Sequence, residues 1–360
     1  MKICIVTGGT GGHIYPALAL AQKWREQDSS CDILFIGNDD RMEADIIPSY
    51  GYKFKALHTS GLVGSALSKA KAIGQLFFAY SKSRQYLKEF NPDIVIGFGG
   101  YVSAPVILAA HSLGIHTMIH EQNSIVGKAN QLVMDKVDAI VTCYEKCFEV
   151  FPKEKTHLLG NPRGTIAIES KLDMDYFLSL GLQPNKKTIL IMMGSLGSSS
   201  VNILMKDALI GLKDNLQILY VCGKDNAEDL HLFGENENIH VVEYVDTLKI
   251  YNKVDGMICR AGATTIAELT ALGIPSILIP SPYVANNHQF YNASVLVRNQ
   301  AARMIEEKDL NADTLQGQIH SLFENEDMMK KVETNAKAMG KPNAAYDMID
   351  LCKKVIGVWK

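Results

Sequence analysis

Short apolar runs rich in β-branched residues alternate along the chain with stretches whose apolar positions recur every three or four residues. In the first half these runs are Lys2 to Thr7, Ile33 to Gly37, Ile94 to Gly97, His116 to His120 and Ala139 to Cys143. Each is brief and stops at Gly, Pro, Asn or a charged residue, the pattern of a buried strand. Between them Pro16 to Glu26 and Ala104 to Leu113 carry a helical period. Strand and helix in alternation predict βαβ units and parallel sheets covered on both faces.

The series then begins again. After Gly160-Asn161-Pro162 and a polar stretch around Lys171 to Asp175, further runs cover Thr188 to Met193, Leu216 to Cys222, Ile239 to Val242, Gly256 to Cys259 and Ser276 to Ile279. The predicted fold class is α/β, with two doubly wound parallel-sheet domains of about 160 residues each. The first domain is drawn over residues 1–163 and the second over 164–341. Gly340-Lys341-Pro342 opens a last helical pattern, Ala344 to Val358, which could pack on either domain.

Composition narrows the class. The chain has 360 residues, 47% hydrophobic and 21% charged, the balance of a globular protein with a large core. No stretch reaches the roughly 18 apolar residues of a membrane span. The opening Met1-Lys2-Ile3-Cys4-Ile5-Val6-Thr7 runs into glycines without a secretory cleavage pattern, so a cytoplasmic chain is expected. The cysteine count is odd, at seven, which suits reduced thiols. Cys143 and Cys147 form the one close pair, and with no second pair beside them they read as apolar filler rather than a zinc site. Net charge is −3, divided as +2 over residues 1–164 and −5 over 165–360. That excludes an overall basic nucleic-acid binder and leaves room for a local basic face on the first half.

Candidate chemistry sits in glycine-bearing turns. The first strand runs into Thr7-Gly8-Gly9-Thr10-Gly11-Gly12-His13, and Pro16 is expected to open the following helix. Glycines let a backbone approach a bound group, and the amides of a helix start attract anions. The turn is not a phosphate loop of the Gly-Lys-Ser/Thr kind, and Ile14 occupies the third glycine position of the dinucleotide fingerprint. Met193-Gly194-Ser195-Leu196-Gly197-Ser198 stands at the matching place in the second domain. Two such turns at strand carboxyl ends suggest a ligand cleft between the domains. A third turn, Cys259 to Glu268, brings small residues and the hydroxyls of Thr264 and Thr265 to another helix start; these suit a diphosphate or serve as plain N-caps. Glu268 and the Asn286-Asn287-His288-Gln289 segment offer the acceptors and amides that sugar hydroxyls need, or cap and solvate their own elements.

Six segments taken together, GGTGGH at 8–13, GFGGYVS at 97–103, HEQN at 120–123, GNPR at 160–163, RAGATTIAE at 260–268 and NNHQFYNA at 286–293, resemble the MurG family. These are bacterial undecaprenyldiphospho-muramoylpentapeptide β-N-acetylglucosaminyltransferases of glycosyltransferase family 28. The likeness runs end to end with the motifs in order. It departs at Met193, where the family often has a second glycine, and at His288, where many members have a glutamine.

The resemblance implies a GT-B fold, two Rossmann-like domains facing across a cleft, with a C-terminal helix (342–360) crossing back to the first. It implies transfer of N-acetylglucosamine from UDP-N-acetylglucosamine to the C4 hydroxyl of lipid I, giving lipid II and UDP in peptidoglycan synthesis. By motif, Thr10, Gly11, Gly12, Asn123, Arg163, Ser195, Val245, Ala263, Thr264, Thr265, Ile266, Ala267, Glu268 and Gln289 would contact the donor. Glu268 would meet the ribose hydroxyls, Gln289 the sugar, and the backbone of Val245 the uracil.

Transfer with inversion needs a base for the attacking hydroxyl. His13 is favoured by the resemblance and by an unperturbed pKa near neutrality, with Glu121 as second candidate and a purely positional role for His13 as the alternative. No metal or other cofactor is expected, because none of the candidate loops carries a DxD-like acidic pair and helix amides near Ala263 to Thr265 can steady the leaving diphosphate. A lipid acceptor implies a peripheral protein on the cytoplasmic face of an anionic membrane, with other cell-wall synthesis enzymes as further partners. Residues 62–80, with Leu62, Val63, Leu67, Ile73, Leu76, Phe77, Phe78 and Tyr80 flanked by Lys69, Lys71, Lys82, Arg84 and Lys88, form an apolar face bordered by cations. Two rival readings keep the donor: a UDP-N-acetylglucosamine 2-epimerase, and a nucleotide-sugar-binding protein without activity.

Overall fold

The computed structural model describes residues 1–61, 65–194, 199–209, 216–223, 226 and 236–358. The chain divides into two compact units, Met1–Thr165 with Asn343–Lys360, and Ile166–Pro342.

The first unit carries strands β1 (Lys2–Val6), β2 (Asp32–Asn38), β3 (Lys53–Leu57), β4 (Ile94–Gly97), β5 (His116–Glu121), β6 (Ala139–Thr142) and β7 (Thr156–Leu158). They form one sheet in the order β3-β2-β1-β4-β5-β6-β7, every pairing parallel. Its helices are α1 (Gly11–Gln27), α2 (Glu43–Ser49), α3 (Ala66–Phe90), α4 (Ser103–Ser112) and α5 (Lys128–Val133), and α6 (Arg163–Ile168) runs across the division. The second unit holds α7 (Met174–Ser179), β8 (Lys187–Met192), α8 (Ser199–Ala208), β9 (Leu216–Val221), β10 (Ile239–Val242), β11 (Gly256–Cys259), α9 (Ala263–Leu272), β12 (Ser276–Leu278), α10 (His288–Arg298), β13 (Arg303–Met304), α11 (Ala312–Phe323) and α12 (Glu326–Met339). Its sheet is also parallel throughout, in the order β10-β9-β8-β11-β12-β13. The doubly wound α/β class expected from the alternation is therefore observed in both units.

The strands that the apolar pattern misses, β3, β7 and β13, all lie at sheet edges. An edge strand has one neighbour and a half-covered face, so Lys53-Phe54-Lys55 alternates where β1 and β4 run continuously apolar. One expectation is corrected. Pro16 does not open α1: the helix starts at Gly11 with Thr10 as N-cap, and Pro16 sits inside it. Proline at that position cannot donate to the carbonyl of Gly12, and the absent Cβ of Gly12 eases the crowding its ring causes.

The last helix, α13 (Ala344–Val355), packs on the first unit. Met348, Ile349 and Cys352 enter the same buried cluster as Trp24, Leu20, Phe35 and Ile94, and the backbone N–H of Ala345 donates to the Thr165 hydroxyl at 3.0 Å. Burying three such side chains is worth several kcal/mol, at about 1.5–3 kcal/mol each for the larger ones.

Candidate active site

In the first unit the expected residues stand at the carboxyl ends of adjacent strands. Val6 of β1 pairs with Gly97 of β4, Gly97 with Ile119 of β5, Glu121 with Thr142 of β6, and Thr142 with Leu158 of β7. The segments that follow, 7–13, 98–102, 122–127, 143–144 and 159–163, therefore share one edge of one sheet, where open α/β sheets bind ligands.

His13 lies in the first turn of α1. Its Nδ1 stands 3.0 Å from the carbonyl oxygen of Gly8 and 3.4 Å from the Thr10 hydroxyl. A carbonyl only accepts, so Nδ1 carries the proton and the neutral ring keeps its lone pair on Nε2. The ring lies against Gly99, whose φ is +103°; a Cβ there would be 2.9 Å from His13 Cδ2 and 3.0 Å from Nε2. A Cβ on Gly100, φ +84°, would run into the Gly8 carbonyl. The GFGGY segment is thus the seat of the glycine turn and of its imidazole. No acidic residue or side-chain cap closes the start of α1, so the amides of Gly11 and Gly12 suit an anion.

Glu121 is buried, and its two oxygens organise the loop that follows. Oε1 accepts from the N–H of Asn123 at 3.0 Å, and Oε2 from Gly127 N–H at 2.8 Å and Asn130 Nδ2 at 2.9 Å. Burial pushes its carboxyl up from the usual carboxylate range, while these donors pull it down. Glu121, the second candidate for the base, is thus committed to shaping the loop that presents Asn123. His120 is buried against Phe98, donates from Nε2 to the Gly160 carbonyl at 3.0 Å, and is held neutral by burial with its pKa lowered to about 4. Arg163 begins α6, its N–H bonded to Asn161 Oδ1 at 3.0 Å. Its charge opposes the effect of burial, which raises the pKa of the Tyr15 phenol on α1. Cys143 and Cys147 are free thiols, both pushed upward by burial, as apolar filler would be.

In the second unit β8 leads into Gly194, φ +99°, and Ser195 lies outside the described residues. Met193, the departure from the family pattern, is buried in the core, so its side chain is turned away from the loop. Val245 after β10 is likewise buried, and the next amide, Asp246 N–H, is fixed by the Tyr176 hydroxyl at 3.0 Å. Only the backbone of Val245 is left for a ligand. At the start of α9 the N-cap is Gly262, not a threonine: Thr264 and Thr265 fall inside the first turn, so neither is the plain cap of the alternative reading. Gly262 supplies no side-chain acceptor, and the Thr264 hydroxyl is buried without a partner among the described residues. Amides and hydroxyl at Ala263 to Thr265 are of the kind that suits an anion. Ile266 points into the core, Ala267 is half-buried, and Glu268 is buried with Oε2 accepting from the Tyr251 hydroxyl at 2.6 Å. Arg260 is occupied elsewhere, in an ion pair with Glu307 at 2.6 Å.

Gln289 Oε1 accepts from the Ser281 N–H at 2.9 Å, which fixes the amide so that its NH2 is the group left to donate. His288 Nδ1 is bonded to the Ala285 carbonyl at 2.8 Å and braces the turn in which Asn286 and Asn287 take positive φ. Of the two side chains, Gln289 therefore has an amide NH2 turned away from its own backbone bond, whereas His288 Nδ1 is bound within the turn. Glu43, Asn38, Asn130 and Tyr251, which hold these groups in position, were not found from sequence: nothing in their local pattern distinguishes them from ordinary helix and loop residues. Among the described residues, Asp39, Asp40 and His58 form the one group with metal-ligand spacing, and all three are exposed.

Two parallel-sheet units, each presenting glycine turns and a helix start beside polar side chains at the carboxyl ends of its strands, define an α/β enzyme of the nucleotide-binding kind. The models for the glycosyltransferase family 28 N-terminal and C-terminal domains match residues 3–142 and 188–349. A relative in Halalkalibacterium halodurans, the UDP-N-acetylglucosamine–N-acetylmuramyl-(pentapeptide) pyrophosphoryl-undecaprenol N-acetylglucosamine transferase, is 39% identical over 99% of both chains. The crystal structure of Acinetobacter baumannii MurG superposes with a TM-score of 0.80 at 27% identity, covering 98% of this chain and 99% of that one. A UDP-N-acetylglucosamine 2-epimerase shares the fold alone, with a TM-score of 0.71 at 14% identity over 100% of this chain and 97% of the other. The chain belongs to glycosyltransferase family 28.

Proposed function

We propose that the protein transfers N-acetylglucosamine, with inversion, from UDP-N-acetylglucosamine to the C4 hydroxyl of the N-acetylmuramyl unit in undecaprenyl-diphospho-muramoyl-pentapeptide. The observation that carries this reading is the full-length likeness to transferases whose names state those substrates. The likeness also favours transfer over the epimerase reading, since the epimerase match is confined to the fold.

The residues divide the work. In the first unit His13 Nε2 takes the hydroxyl proton as the oxygen attacks C1 of the sugar. The bond from C1 to the diphosphate breaks and its electron pair leaves on UDP. Thr10, Gly11, Gly12, Asn123 and Arg163 supply amides, an amide side chain and a cation for anionic and sugar oxygens. In the second unit the amides of Ala263 to Thr265 and the Thr264 hydroxyl steady the departing charge without a metal. Glu268, aimed by Tyr251, accepts from ribose hydroxyls. Gln289 donates to the sugar, the backbone at Val245 pairs with uracil, and Ser195 belongs to the same set.

Incubation with labelled UDP-N-acetylglucosamine and a lipid I analogue tests the reading. Disaccharide lipid with UDP supports it; epimerised sugar or unaltered donor overturns it.

A lipid acceptor calls for a membrane-facing surface, and the exposed apolar residues of α3 support assigning it there. Ile73, Phe77 and Phe78 are 60%, 76% and 64% exposed, with Lys71 exposed and Lys82 half-buried nearby. Leu62 and Val63, expected on the same face, lie outside the described residues, and no helix among the described residues is long and apolar enough to cross a membrane. The protein then sits on the cytoplasmic leaflet as a peripheral enzyme. Replacing Phe77 and Phe78 by serine removes up to about 1.5–3 kcal/mol of burial each. Flotation with anionic vesicles should weaken more than tenfold; binding equal to wild type would remove α3 from this role.

A further inference from the structure

Glu43 is an acidic residue that the transfer scheme leaves unused, and it is fully buried at 0% exposure. Three N–H groups donate to it: Asn38 N at 3.0 Å and Asn38 Nδ2 at 3.1 Å on Oε1, and Gly9 N at 3.1 Å on Oε2. Asn38 is itself fixed, its Oδ1 accepting from the Thr59 N–H and hydroxyl at 3.1 and 2.6 Å. The Gly9 N–H is one end of the Gly8–Gly9 peptide. The other end, the Gly8 carbonyl, accepts from His13 Nδ1 at 3.0 Å. A single planar peptide therefore stands between a carboxylate and an imidazole, donating to one and accepting from the other. The packing reserves this space: a Cβ on Gly8 would run into Glu43 Oε1, and one on Gly37 would lie 2.7 Å from Glu43 Cγ.

We propose that Glu43 is a positioning residue for the transfer, acting through the Gly8–Gly9 peptide to hold His13 with its proton on Nδ1 and keep Nε2 as the acceptor of the hydroxyl proton. This rests on the reading of His13 as base. A peptide whose N–H is bound by a carboxylate is polarised, and its carbonyl becomes a stronger acceptor. When Nε2 takes the proton from the acceptor hydroxyl, the resulting imidazolium is stabilised through that carbonyl, as a carboxylate bonded directly to Nδ1 would do at shorter range. His120 at the end of β5 interacts with His13; it is neutral and contributes no charge of its own near pH 7.

The test is Glu43→Gln in the full chain, alone and combined with His13→Ala. Glutamine keeps the shape but has one acceptor oxygen for three donors and no charge. With His13 present, kcat should fall about tenfold, the acid limb of its pH profile should move to lower pH, and the donor KM should stay within about twofold. In the His13→Ala background Glu43→Gln should change kcat less than about twofold, because the path ends on His13. If His13→Ala alone leaves kcat unchanged, the base reading falls and this one with it. If His13→Ala lowers kcat but Glu43→Gln has the same effect in both backgrounds, or leaves the acid limb in place, Glu43 is only a structural support and the proposal is wrong. Should Glu43→Gln fail to fold, the 15N shifts of His13 in the wild-type protein decide: a neutral ring protonated on Nδ1 supports the proposal, and one protonated on Nε2 overturns it.

Discussion

Replacing Gly99 by alanine should slow the transfer without touching the donor site. The new methyl would sit 2.9 Å from His13 Cδ2 and 3.0 Å from Nε2. Nonbonded carbon atoms rest at about 3.5–4.0 Å, so the ring has to give by roughly 0.6–1 Å. A displacement of about 1 Å at a reacting group costs up to about 10² in rate, so kcat should drop ten- to a hundredfold, about 1.4–2.7 kcal/mol of barrier. The positive φ of Gly99 adds about 1 kcal/mol of backbone strain for a residue with a Cβ. That second effect needs its own measure, and Gly114 provides it. Its φ is +70°, and a Cβ there meets nothing within 4 Å. Gly114→Ala should therefore show the stability loss in urea denaturation while turning over at the wild-type rate. Steady-state assays with a lipid I analogue, run beside denaturation curves of both variants, separate strain from displacement. A folded Gly99→Ala protein with kcat within twofold of wild type would refute the claim that this glycine seats the imidazole proposed as base.

Three further outcomes follow from the same geometry. Tyr251→Phe removes the hydroxyl that aims Glu268 and leaves the buried carboxylate with one donor fewer, which should cost about 1–3 kcal/mol; donor KM should rise several-fold with kcat little changed, and an unaltered KM would disconnect Glu268 from the donor. His120 has a folded pKa of about 4 against roughly 6.5 unfolded, so the unfolded chain binds more protons between these values. Stability should accordingly fall by as much as about 3 kcal/mol as pH drops from 6.5 to 4, and His120→Gln should flatten that slope in denaturation curves. Ile349→Ala on α13 should cost about 2–5 kcal/mol, read from tryptophan fluorescence in urea, because the side chain is fully buried beside Trp24; a loss below 1 kcal/mol would mean that the helix contributes little to the first unit.

Much of the fold was legible because parallel strands buried on both faces leave an unbroken apolar run, and β1 after Lys2, β4 and β11 are such runs. Legibility failed at the edges. Thr156-His157-Leu158 and Arg303-Met304 are strands only because a neighbour offers them half a ladder, a fact that no local period encodes. Pro16 failed for another reason: the preference for proline in a first turn is real, but here the helix starts from an extended Thr10 and Gly12 lowers the cost of a proline one turn later.

The site divides in the same way. Candidate backbone-binding residues cluster in short segments, because one turn or one helix start supplies several amides at once; hence Thr10 to His13 and Ala263 to Glu268 stood out as motifs. Residues that orient those groups come from distant parts of the chain. Glu43 reaches Gly9 across 34 positions and Tyr251 reaches Glu268 across 17, each by a single side chain with no repeating pattern around it. Glycines carry the trace of such contacts. Gly8, Gly37, Gly99 and Gly100 each lack a Cβ where another group passes, so they record the arrival of Glu43, His13 and one another without naming the visitor. At these four glycines, then, the missing Cβ marks close approach by the chain's own supporting groups. Substitutions at Gly8 or Gly37 should then impair the transfer even though neither residue faces the reacting atoms.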